Sequence, residues 1–358
     1  MADPIIIEAA ENLQAWVLRD RQYRLIIEKP FENGTERYVI GAPTADNYAA
    51  HIRFQLERTD GKVLNMATIN LWNLNNNQIE ALLQENTKVY LYAGYGRAVE
   101  NLPLIFQGTV IQLQEQLSGA DREYTVTAVD GFQELAQSTV SMSFVEGTTY
   151  KTVFDEIAKR LGIGISYMDG AEEMCTAATV FRGLSFVGKV EAVLNRLADE
   201  TGLSWAVESG ILCIKTPLSL QVGRQTAYHL SAKTGLIGLP RRMFETSVTT
   251  NENAASGMRY LLYGYSVQFF MNGALQIRDI VYLDSSVARG LFQIYNMQIQ
   301  GDNLAGDWIC TAKLCEYHPA LSSQPAGLVG SAVAAIGKIG RISGRVSGGP
   351  DRWNREKE

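Results

Sequence analysis

Three residues near the end of the last predicted strand have a spacing that could bind zinc. Cys310, Cys315 and His318 form a C-x4-C-x2-H pattern, and thiolate and imidazole groups are common zinc ligands in proteins. Cys310 and Cys315 are separated by an odd number of positions, so their side chains point to opposite faces of an extended strand. No second pair of ligands lies nearby in the sequence. The pattern therefore favours buried, reduced thiols over a metal site, and no cofactor is predicted.

Two histidines and an acidic pair are the remaining candidates for catalysis. His51 and His229 stand in strand-like sequence without an obvious partner, and the chain has no Gly-x-Ser-x-Gly motif. A Ser/His/Asp or Cys/His site stays open, because such residues meet in space rather than in sequence. Glu172 and Glu173 lie in a predicted loop, whereas a lysozyme-like acid pair needs one carboxyl group in an apolar pocket. The residues therefore favour a protein that is not an enzyme.

A Gly-Tyr-Gly segment, Gly94–Gly96, is the only phosphate-site candidate that follows a predicted strand. Dinucleotide-binding loops need a helix that starts directly after the glycines. No helix follows here in phase, so the segment predicts a turn.

The chain has 358 residues and a net charge of −6, and the charge is unevenly distributed. From Ala320 onward six Lys and Arg residues oppose three acids, so this tail carries +3 and the remainder carries −9. An acidic body argues against general nucleic-acid binding, because contact with phosphates needs a basic face. The sequence has no basic-apolar leader and no apolar run of about 20 residues, the length that spans a bilayer. We expect synthesis in a cytoplasm and two or three domains, at roughly 100–200 residues per domain.

The tail, residues 320–358, is rich in Gly, Ala and Ser and contains the basic residues Lys338, Arg341 and Arg345. Its glycines weaken a helix, so we predict a flexible segment that orders on a partner. Three interpretations stay open: a solvated end, a docking arm for a spike or a neighbouring subunit, and a contact with nucleic acid or membrane. The aliphatic residues of this stretch have no aromatic stacking partners, which weakens the nucleic-acid interpretation.

Residues 1–140 are predicted to form a first β domain, an antiparallel sheet or barrel. Apolar side chains alternate in His51–Glu57 and Met66–Trp72, which is typical of half-buried strands. A short helix is predicted next, because Asn75 is a suitable N-cap and Gln78 follows three residues later. Further strands are predicted at Lys88–Ala93, Leu104–Leu117 and Glu123–Val129.

Residues 141–217 are predicted to form a small α/β domain with a 40-residue repeat. An amphipathic helix is predicted to begin after Thr148 or Thr149 and to end at Gly162. The same apolar stripe recurs forty residues later and ends at Gly202. Since a strand is predicted after each glycine, the repeat is a tandem helix–strand unit.

Residues 218–319 are predicted to form a second β domain. Its most informative segment, Gly290–Leu314, has the pattern strand, turn, strand. Gly301–Asn303 is predicted to supply the positive φ angles and side-chain bonds of the turn, and Trp308 restarts the strand. A helix-like insert is predicted at Ser285–Arg289. The fold class is therefore α+β and mainly β, with two antiparallel β-barrel domains flanking the small α/β domain.

Several of these segments, in this order, resemble the baseplate hub proteins of contractile phage tails. This family of adaptors is shared with type VI secretion and phage-like bacteriocin particles. The resemblance covers residues 20–319, and where many relatives carry a His before the Gly-Asp pair this chain has Gln300. The segments that carry it are the strand–Asn-rich helix–strand order of Ile69–Leu91, the strand pair from Phe106-Gln-Gly-Thr-Val-Ile111 to Asp130-Gly-Phe132, and Gly301-Asp302 with Trp308.

The resemblance implies that the two β domains, residues 1–140 and 218–319, are tube-like, and that the protein has a structural role. A homotrimer would adapt the six-fold tail tube to the three-fold central spike and line the DNA channel of the virion baseplate. The tail tube, spike, tape-measure and baseplate wedge proteins would be its partners, without sequence-specific nucleic-acid binding or a membrane span. Its partner-binding residues would be Asn75, Asn76, Asn77 and Gln78 for ring packing, and Lys338, Arg341 and Arg345 for docking.

Two alternatives remain open from the sequence. One is a tail-associated peptidoglycan hydrolase, for which Glu172 and Glu173 are the candidate acids. The other is the equivalent hub of a phage-derived secretion or bacteriocin particle, which differs from a phage hub in its setting rather than in its chemistry.

Overall fold

The computed structural model describes residues 6–8, 21–31, 34–41, 50–60, 64–96, 101–132, 135, 138–168, 170–216, 226–248 and 259–316. The predicted tail residues Lys338, Arg341 and Arg345, and also His318, lie outside these ranges. Within them, none of the helices is long and apolar enough to cross a membrane.

The prediction of a mainly β protein is confirmed. The first part contains β1 (Ile6–Glu8), β2 (Arg21–Phe31), β3 (Gly34–Ile40), β4 (Ile52–Thr59), β5 (Met66–Trp72), α1 (Asn76–Leu83), β6 (Lys88–Tyr95), β7 (Leu104–Ser118) and β8 (Asp121–Val129). The middle part contains β9 (Thr139–Phe144), α2 (Tyr150–Leu161), β10 (Gly164–Met168), α3 (Ala171–Ala177), β11 (Leu184–Lys189), α4 (Val190–Thr201), β12 (Ser204–Glu208) and β13 (Ile211–Lys215). The last part contains β14 (Thr226–Ser231), β15 (Leu236–Val248), β16 (Arg259–Phe270), β17 (Ile280–Asp284), β18 (Arg289–Asp302) and β19 (Trp308–Glu316).

The strands of the first and last parts form one branched sheet of 14 strands. Its main path runs β1-β14-β17-β18-β4-β5-β8-β7-β6-β2-β3, and β19, β16 and β15 branch from β18. The sequence predicted two barrels, but the described strands do not close into one. The reason is that β4, which could have closed the first set of strands, has its second edge paired with β18.

A single hydrophobic core lies on one side of this sheet. Every second residue of the central strands is buried, as in β4 and β5, because alternate side chains point to the same face. The core contains residues from both parts, including Leu25, Phe54, Met297 and Trp308. Burial of each such side chain contributes about 1.5–3 kcal/mol, so the two parts stabilise each other directly.

The middle part has its own core and contains two units in which a helix is followed by a strand. Thr149 caps α2, and its side chain accepts a hydrogen bond from the Thr152 N–H. Both helices end at glycines in the left-handed region, with φ angles of 70° at Gly162 and 71° at Gly202. Strands β10 and β12 follow these glycines and flank β13 in a three-stranded sheet. These local signals could be read from sequence because caps and amphipathic stripes act within a few residues.

Two local predictions were wrong. Glu172 and Glu173 lie in the first turn of helix α3 rather than in a loop, where acidic side chains interact favourably with the helix N-terminus. The predicted helical insert at 285–289 is a tight turn between β17 and β18. The Ser285 hydroxyl accepts hydrogen bonds from the N–H groups of Val287 and Ala288, which replaces the bonds of a helix by those of a turn.

Candidate assembly site at the junction of the sheet

The signature segment of the sequence lies where the two β parts meet. Strands β18 and β4 pair in antiparallel register, from Asn296 opposite Thr59 to Asp302 opposite Arg53. The segment Gly301–Asn303, which we call the junction segment, occupies the end of this pairing. Its side chains therefore connect residues that are about 250 positions apart in sequence.

Gly301 has a role that differs from the predicted one. It lies inside β18, opposite Phe54, and a Cβ atom there would lie 2.7 Å from Phe54 Cε1. The Phe54 ring instead lies over the glycine and packs edge-to-face against Trp308, with centroids 5.4 Å apart. The positive φ angle that the sequence placed at Gly301 occurs at Gly306, at 96°. Gly301 is thus required for space, and the turn begins after Asp302.

The Asp302 carboxylate is surrounded by hydrogen-bonding groups from its own turn, from His51 and from Arg53. Its Oδ1 accepts the N–H groups of Leu304 and Ala305, each at 3.0 Å, which gives the predicted side-chain bonds of the turn. His51 Nε2 lies 3.1 Å from Oδ1, and Arg53 Nε donates to Oδ2 at 3.2 Å. The carboxylate therefore ties the turn to the start of β4.

The neighbours of Asp302 extend this network. Asn303 Oδ1 accepts the Ile52 N–H at 2.9 Å, and Asn303 Nδ2 donates to the Ala50 carbonyl at 3.1 Å. His51, which has no obvious partner in sequence, also stacks on Trp72 with ring centroids 3.9 Å apart. The junction segment thus links the two parts of the sheet through side chains as well as through the backbone ladder.

The pKa of Asp302 is lowered, and this has a consequence for acid stability. Burial alone raises the pKa of this carboxyl group, but hydrogen bonds from Ala305, Leu304, Arg53 and His51 outweigh it and lower the pKa below its ordinary value. In the unfolded chain the pKa of an Asp side chain is about 3.9. The ionised group therefore stabilises the fold above that pH, and this contribution is lost as pH falls through the lower folded-state pKa.

We expect Asp302→Asn to lower the free energy of unfolding by about 2 kcal/mol at pH 7, since hydrogen bonds to a charged group are lost. The difference from the wild type should shrink as pH falls from 5 toward 2. Urea unfolding at several pH values measures this, and Asp307→Asn, at an exposed position in the same loop, is the control. A difference that is constant with pH would contradict the assignment.

The face of the sheet opposite the core is rich in uncharged polar side chains. Cross-strand partners point to the same side, so the register Gln300–Gln55–Thr68–Thr127–Gln112 follows one row across five strands. We call this surface the amide face. Its other members are Asn70, Gln114, Thr125, Gln298 and Thr311. The same face also carries Arg53 opposite Asn70 and Glu57 opposite Gln298, so it offers uncharged hydrogen-bonding groups together with charges of both signs.

Three ends of the sheet carry edges that no described strand covers, and one of them is β1, which pairs only with β14. Strand β3 pairs only with β2, and β15 pairs only with β16. The first half of β15 is interrupted by a register shift between Ile237 and Arg241, and such irregularities protect an edge. Its second half is regular and carries Phe244, which is 68% exposed. The regular half of β15 and the whole of β3 are therefore available for pairing with another chain.

The predicted helix start at Asn75 is confirmed as a capping box. Asn75 Oδ1 accepts the Gln78 N–H at 2.9 Å, and Gln78 Oε1 accepts the Asn75 N–H at 3.1 Å. Two of the four predicted partner-binding side chains are thus engaged in the helix cap. Asn76 and Asn77 are exposed on the first turn and remain the better candidates for a contact.

The predicted chemistry of the cysteines agrees with buried thiols. Cys175, Cys213, Cys310 and Cys315 are free and buried. Burial raises the pKa of the Cys310 thiol to about 12, so the reactive thiolate is scarce at neutral pH. Among the described residues, no group of three or more His, Cys, Asp or Glu side chains is arranged to hold a metal ion.

The other candidate residues have partners that explain them. Glu172 lies 3.7 Å from Lys151 Nζ on an exposed helix, without the apolar pocket that would raise an acid's pKa. His229 Nε2 lies 3.6 Å from Asp284 Oδ2 at the surface. The structure does not bring these residues together with the junction segment.

One polar cluster could not be found from the sequence. Asp60, Glu208, Lys215 and Arg278 meet where the middle part contacts the sheet. The only signal in the sequence is a lysine, Lys215, at the end of an otherwise apolar strand.

The fold, with the junction and edges described above, can be compared with known proteins. No protein-family model matches the sequence, and no curated protein is significantly similar to it. Several solved structures are similar, and three of them illustrate the match. The 43 kDa tail protein of prophage MuSo2 from Shewanella oneidensis has 9% identity and a TM-score of 0.52, with 84% of this chain and 100% of that chain covered. A tail protein from Neisseria meningitidis MC58 has 10% identity and a TM-score of 0.52, with 84% and 98% covered.

The third structure comes from a secretion system. The E. coli c3393 protein is described as a component of the type VI secretion system with structural similarity to the T4 bacteriophage tail proteins gp27 and gp5. It has 11% identity and a TM-score of 0.50, with 78% of each chain covered. At identities of 9–11% the similarity shows a shared fold. The resemblance to phage tail proteins that was predicted from the sequence is therefore confirmed for the fold. The chain has the fold that is shared by these phage tail proteins and a component of the type VI secretion system.

Proposed function

We propose that this protein is a structural hub of a contractile phage tail, a homotrimer that adapts the six-fold tail tube to a three-fold central spike. The observation that carries the proposal is the branched sheet, in which two β parts of one chain are joined through β18 and β4. Three copies would present six β parts around one axis. A six-fold and a three-fold partner could then bind to opposite sides of one ring.

Ring closure needs a contact between different surfaces of neighbouring copies. Edges β3 and β15 terminate different branches of the sheet, so pairing β3 of one copy with β15 of the next would be a head-to-tail contact. Such contacts generate rings when the rotation closes. Burial of Val39 and Phe244, which are exposed beside these edges, would add an apolar contribution to the backbone ladder.

The amide face is suited to line a DNA channel. Its row of Gln, Thr and Asn side chains binds water rather than phosphate, and the net charge of the whole chain is −6. An acidic body repels DNA and limits adhesion. In this arrangement the core side of the sheet lies away from the channel.

The remaining partners follow from the same role. The tube and spike proteins would bind the two ends of the ring, with tape-measure and baseplate wedge proteins nearby in the virion. Asn76 and Asn77, with the capping pair Asn75 and Gln78, would contribute to ring packing. The tail with Lys338, Arg341 and Arg345 would dock onto an acidic partner, because the tail has a net charge of +3 whereas the remainder of the chain has −9.

Oligomeric state tests this proposal. Native mass spectrometry of the full chain should give three times the mass of 39.5 kDa, and electron micrographs should show a three-fold ring with an axial channel. Phe244→Lys should lower the trimer fraction at least about ten-fold, because a charge placed in an apolar contact costs more than 1.4 kcal/mol. Leu304→Lys, at a position that is equally exposed at 68% but in the loop after β18, is the matched control.

A monomer that associates with neither tube nor spike protein would disprove the proposed hub. A trimer that is unchanged by Phe244→Lys would retain the hub but reject β15 as the ring edge.

A second setting for the same role is a phage-derived secretion particle. The similarity to a component of the E. coli type VI secretion system supports it. The genes beside this one would distinguish the two, since a phage operon encodes capsid and DNA-packaging proteins while a secretion operon does not.

A further inference from the structure

Four charged side chains form a buried cluster between the middle part and the sheet. Lys215 and Arg278 are each only 1% exposed. Asp60 Oδ1 accepts hydrogen bonds from Arg278 Nε at 2.7 Å and from Lys215 Nζ at 3.3 Å. Lys215 also donates to Glu208. The cluster, which we call the charge cluster, contains two cations and two anions, so its formal charge is zero.

The charge cluster joins all three parts of the chain. Asp60 directly follows β4, Lys215 ends β13 of the middle part, and Arg278 lies in the connection between β16 and β17. Ser204, at the start of β12, accepts a further hydrogen bond from Arg278 Nη2 at 3.4 Å. One carboxylate, that of Asp60, is thus shared by a cation from the middle part and a cation from the last part.

The backbone around Arg278 is held in an unusual conformation. Its φ angle is 73°, in the left-handed region that non-glycine residues rarely occupy. Its N–H donates to the Ile294 carbonyl at 2.7 Å, and its own carbonyl accepts from Gln293 Nε2 at 2.8 Å. Strain of this kind persists only where the surroundings over-determine it. The guanidinium group is therefore presented to Asp60 from a backbone that is anchored to β18.

Other described contacts also join the middle part to the sheet. The Asp130 carboxylate accepts the N–H groups of Ser209 and Gly210 at 2.6 and 3.2 Å, which fixes one turn as a pivot. Gly131 lies against the Val207 side chain, an apolar contact that tolerates rotation. Leu64, between β4 and β5, also packs against the core of the middle part. The charge cluster adds directional bonds at a point separate from the Asp130 turn, and two such points together restrict rotation of the middle part.

Buried ion pairs contribute little net stability when they are compared with apolar side chains, and their best-attested use is to specify one arrangement. We propose that the charge cluster is an orientation lock, which holds the middle part in a single position on the sheet. Loss of its cross-links would release the middle part as a folded unit, since that part has a hydrophobic core of its own. The inference concerns the single chain and does not depend on the proposed trimer.

Distance measurements between two spin labels test the lock. Labels at Val187→Cys in the middle part and Leu304→Cys on the sheet use positions that are 80% and 68% exposed. The four native cysteines are buried and should not react. Labelled chains are mixed with an excess of unlabelled protein, so that distances between copies do not contribute.

The double variant Lys215→Met/Ser204→Ala removes two cross-links to the middle part and leaves Asp60 paired with Arg278. We expect one narrow distance in the wild type and a distribution that is roughly two-fold broader in the double variant, because several orientations become populated. Lys215→Arg should keep the narrow distribution. Arg196→Met, which breaks an exposed ion pair with Glu200 in the same part, should also keep it.

A double variant with the same narrow distribution as the wild type would overturn the lock. Circular dichroism checks that the helices of the middle part remain folded. Should the double variant fail to fold, Lys215→Met alone is measured in the same way, where a broad distribution supports the lock and a narrow one overturns it.

Discussion

Asp60→Asn should lower the free energy of unfolding by about 3–5 kcal/mol, the range observed when one partner of a buried ion pair is removed. The asparagine has nearly the same shape and still accepts a hydrogen bond, so the change is mainly in charge. The change removes the negative charge that faces Arg278 and Lys215, both of which are buried, and leaves Lys215 paired with Glu208. Urea unfolding at pH 7 measures the loss.

An exposed acid-to-amide change provides the control for this result. Glu115 forms an ion pair with Arg122 at 3.2 Å, and both side chains are well exposed. Because exposed pairs contribute about 0–1 kcal/mol, Glu115→Gln should have a small effect. If Asp60→Asn lowered the free energy of unfolding by less than about 1 kcal/mol, the charges of the cluster would be screened by water. That result would contradict the burial of the cluster.

Gly301→Ala should destabilise the protein by about 1–3 kcal/mol, the range for overpacking a core. At an open strand position the same change would stabilise by roughly 0.5–1 kcal/mol, because glycine loses more backbone entropy on folding. Here the new methyl group would overlap the Phe54 ring, which is held by Trp308. The cost of this steric overlap exceeds the entropic gain, so the net effect of Gly301→Ala is destabilising.

A matched glycine and a second-site change test the cause. Gly164 lies in β10, where a Cβ atom would meet only Ile211 at 3.7 Å, so Gly164→Ala should be neutral or stabilising. Phe54→Leu removes the ring that causes the clash. The Gly301→Ala/Phe54→Leu double variant should therefore lose less stability than the two single variants together. Strict additivity would show that the clash is not the cause.

The parts of the fold that were predictable from sequence are those set by neighbours in sequence. The α1 capping box, the α2 cap at Thr149 and the C-terminal glycines Gly162 and Gly202 all depend on contacts within a few residues. Strand positions were also predictable, because alternation of apolar residues is a local pattern. The local predictions were wrong for residues 171–177 and 285–289. Both segments are too short for the periodicity of apolar residues to distinguish a helix from a loop or a turn.

The junction and the charge cluster were not predictable because they depend on pairing between distant segments. Gly301 precedes Asp302 and Asn303, which is the sequence context of a turn glycine. Only the position of Phe54, opposite it on β4, shows that the glycine provides space for a ring. Likewise, the partner of Lys215 is Asp60, and no periodic pattern links these two residues. The residues of the candidate site were visible in sequence, but their roles were set by the order of strands in the sheet.

The pairing of β18 with β4 also has a consequence for synthesis. Asn296 and Glu57 lie 239 residues apart in sequence, so β4 leaves the ribosome about 10–50 s before its neighbour at typical rates of about 5–20 residues per second. During that interval the nascent first part has an unpaired edge at β4 and an incomplete core. Such edges associate with other chains, and contacts of long sequence separation form slowly. The feature that unites the assembled chain thus makes its growing form dependent on protection by chaperones until β18 arrives.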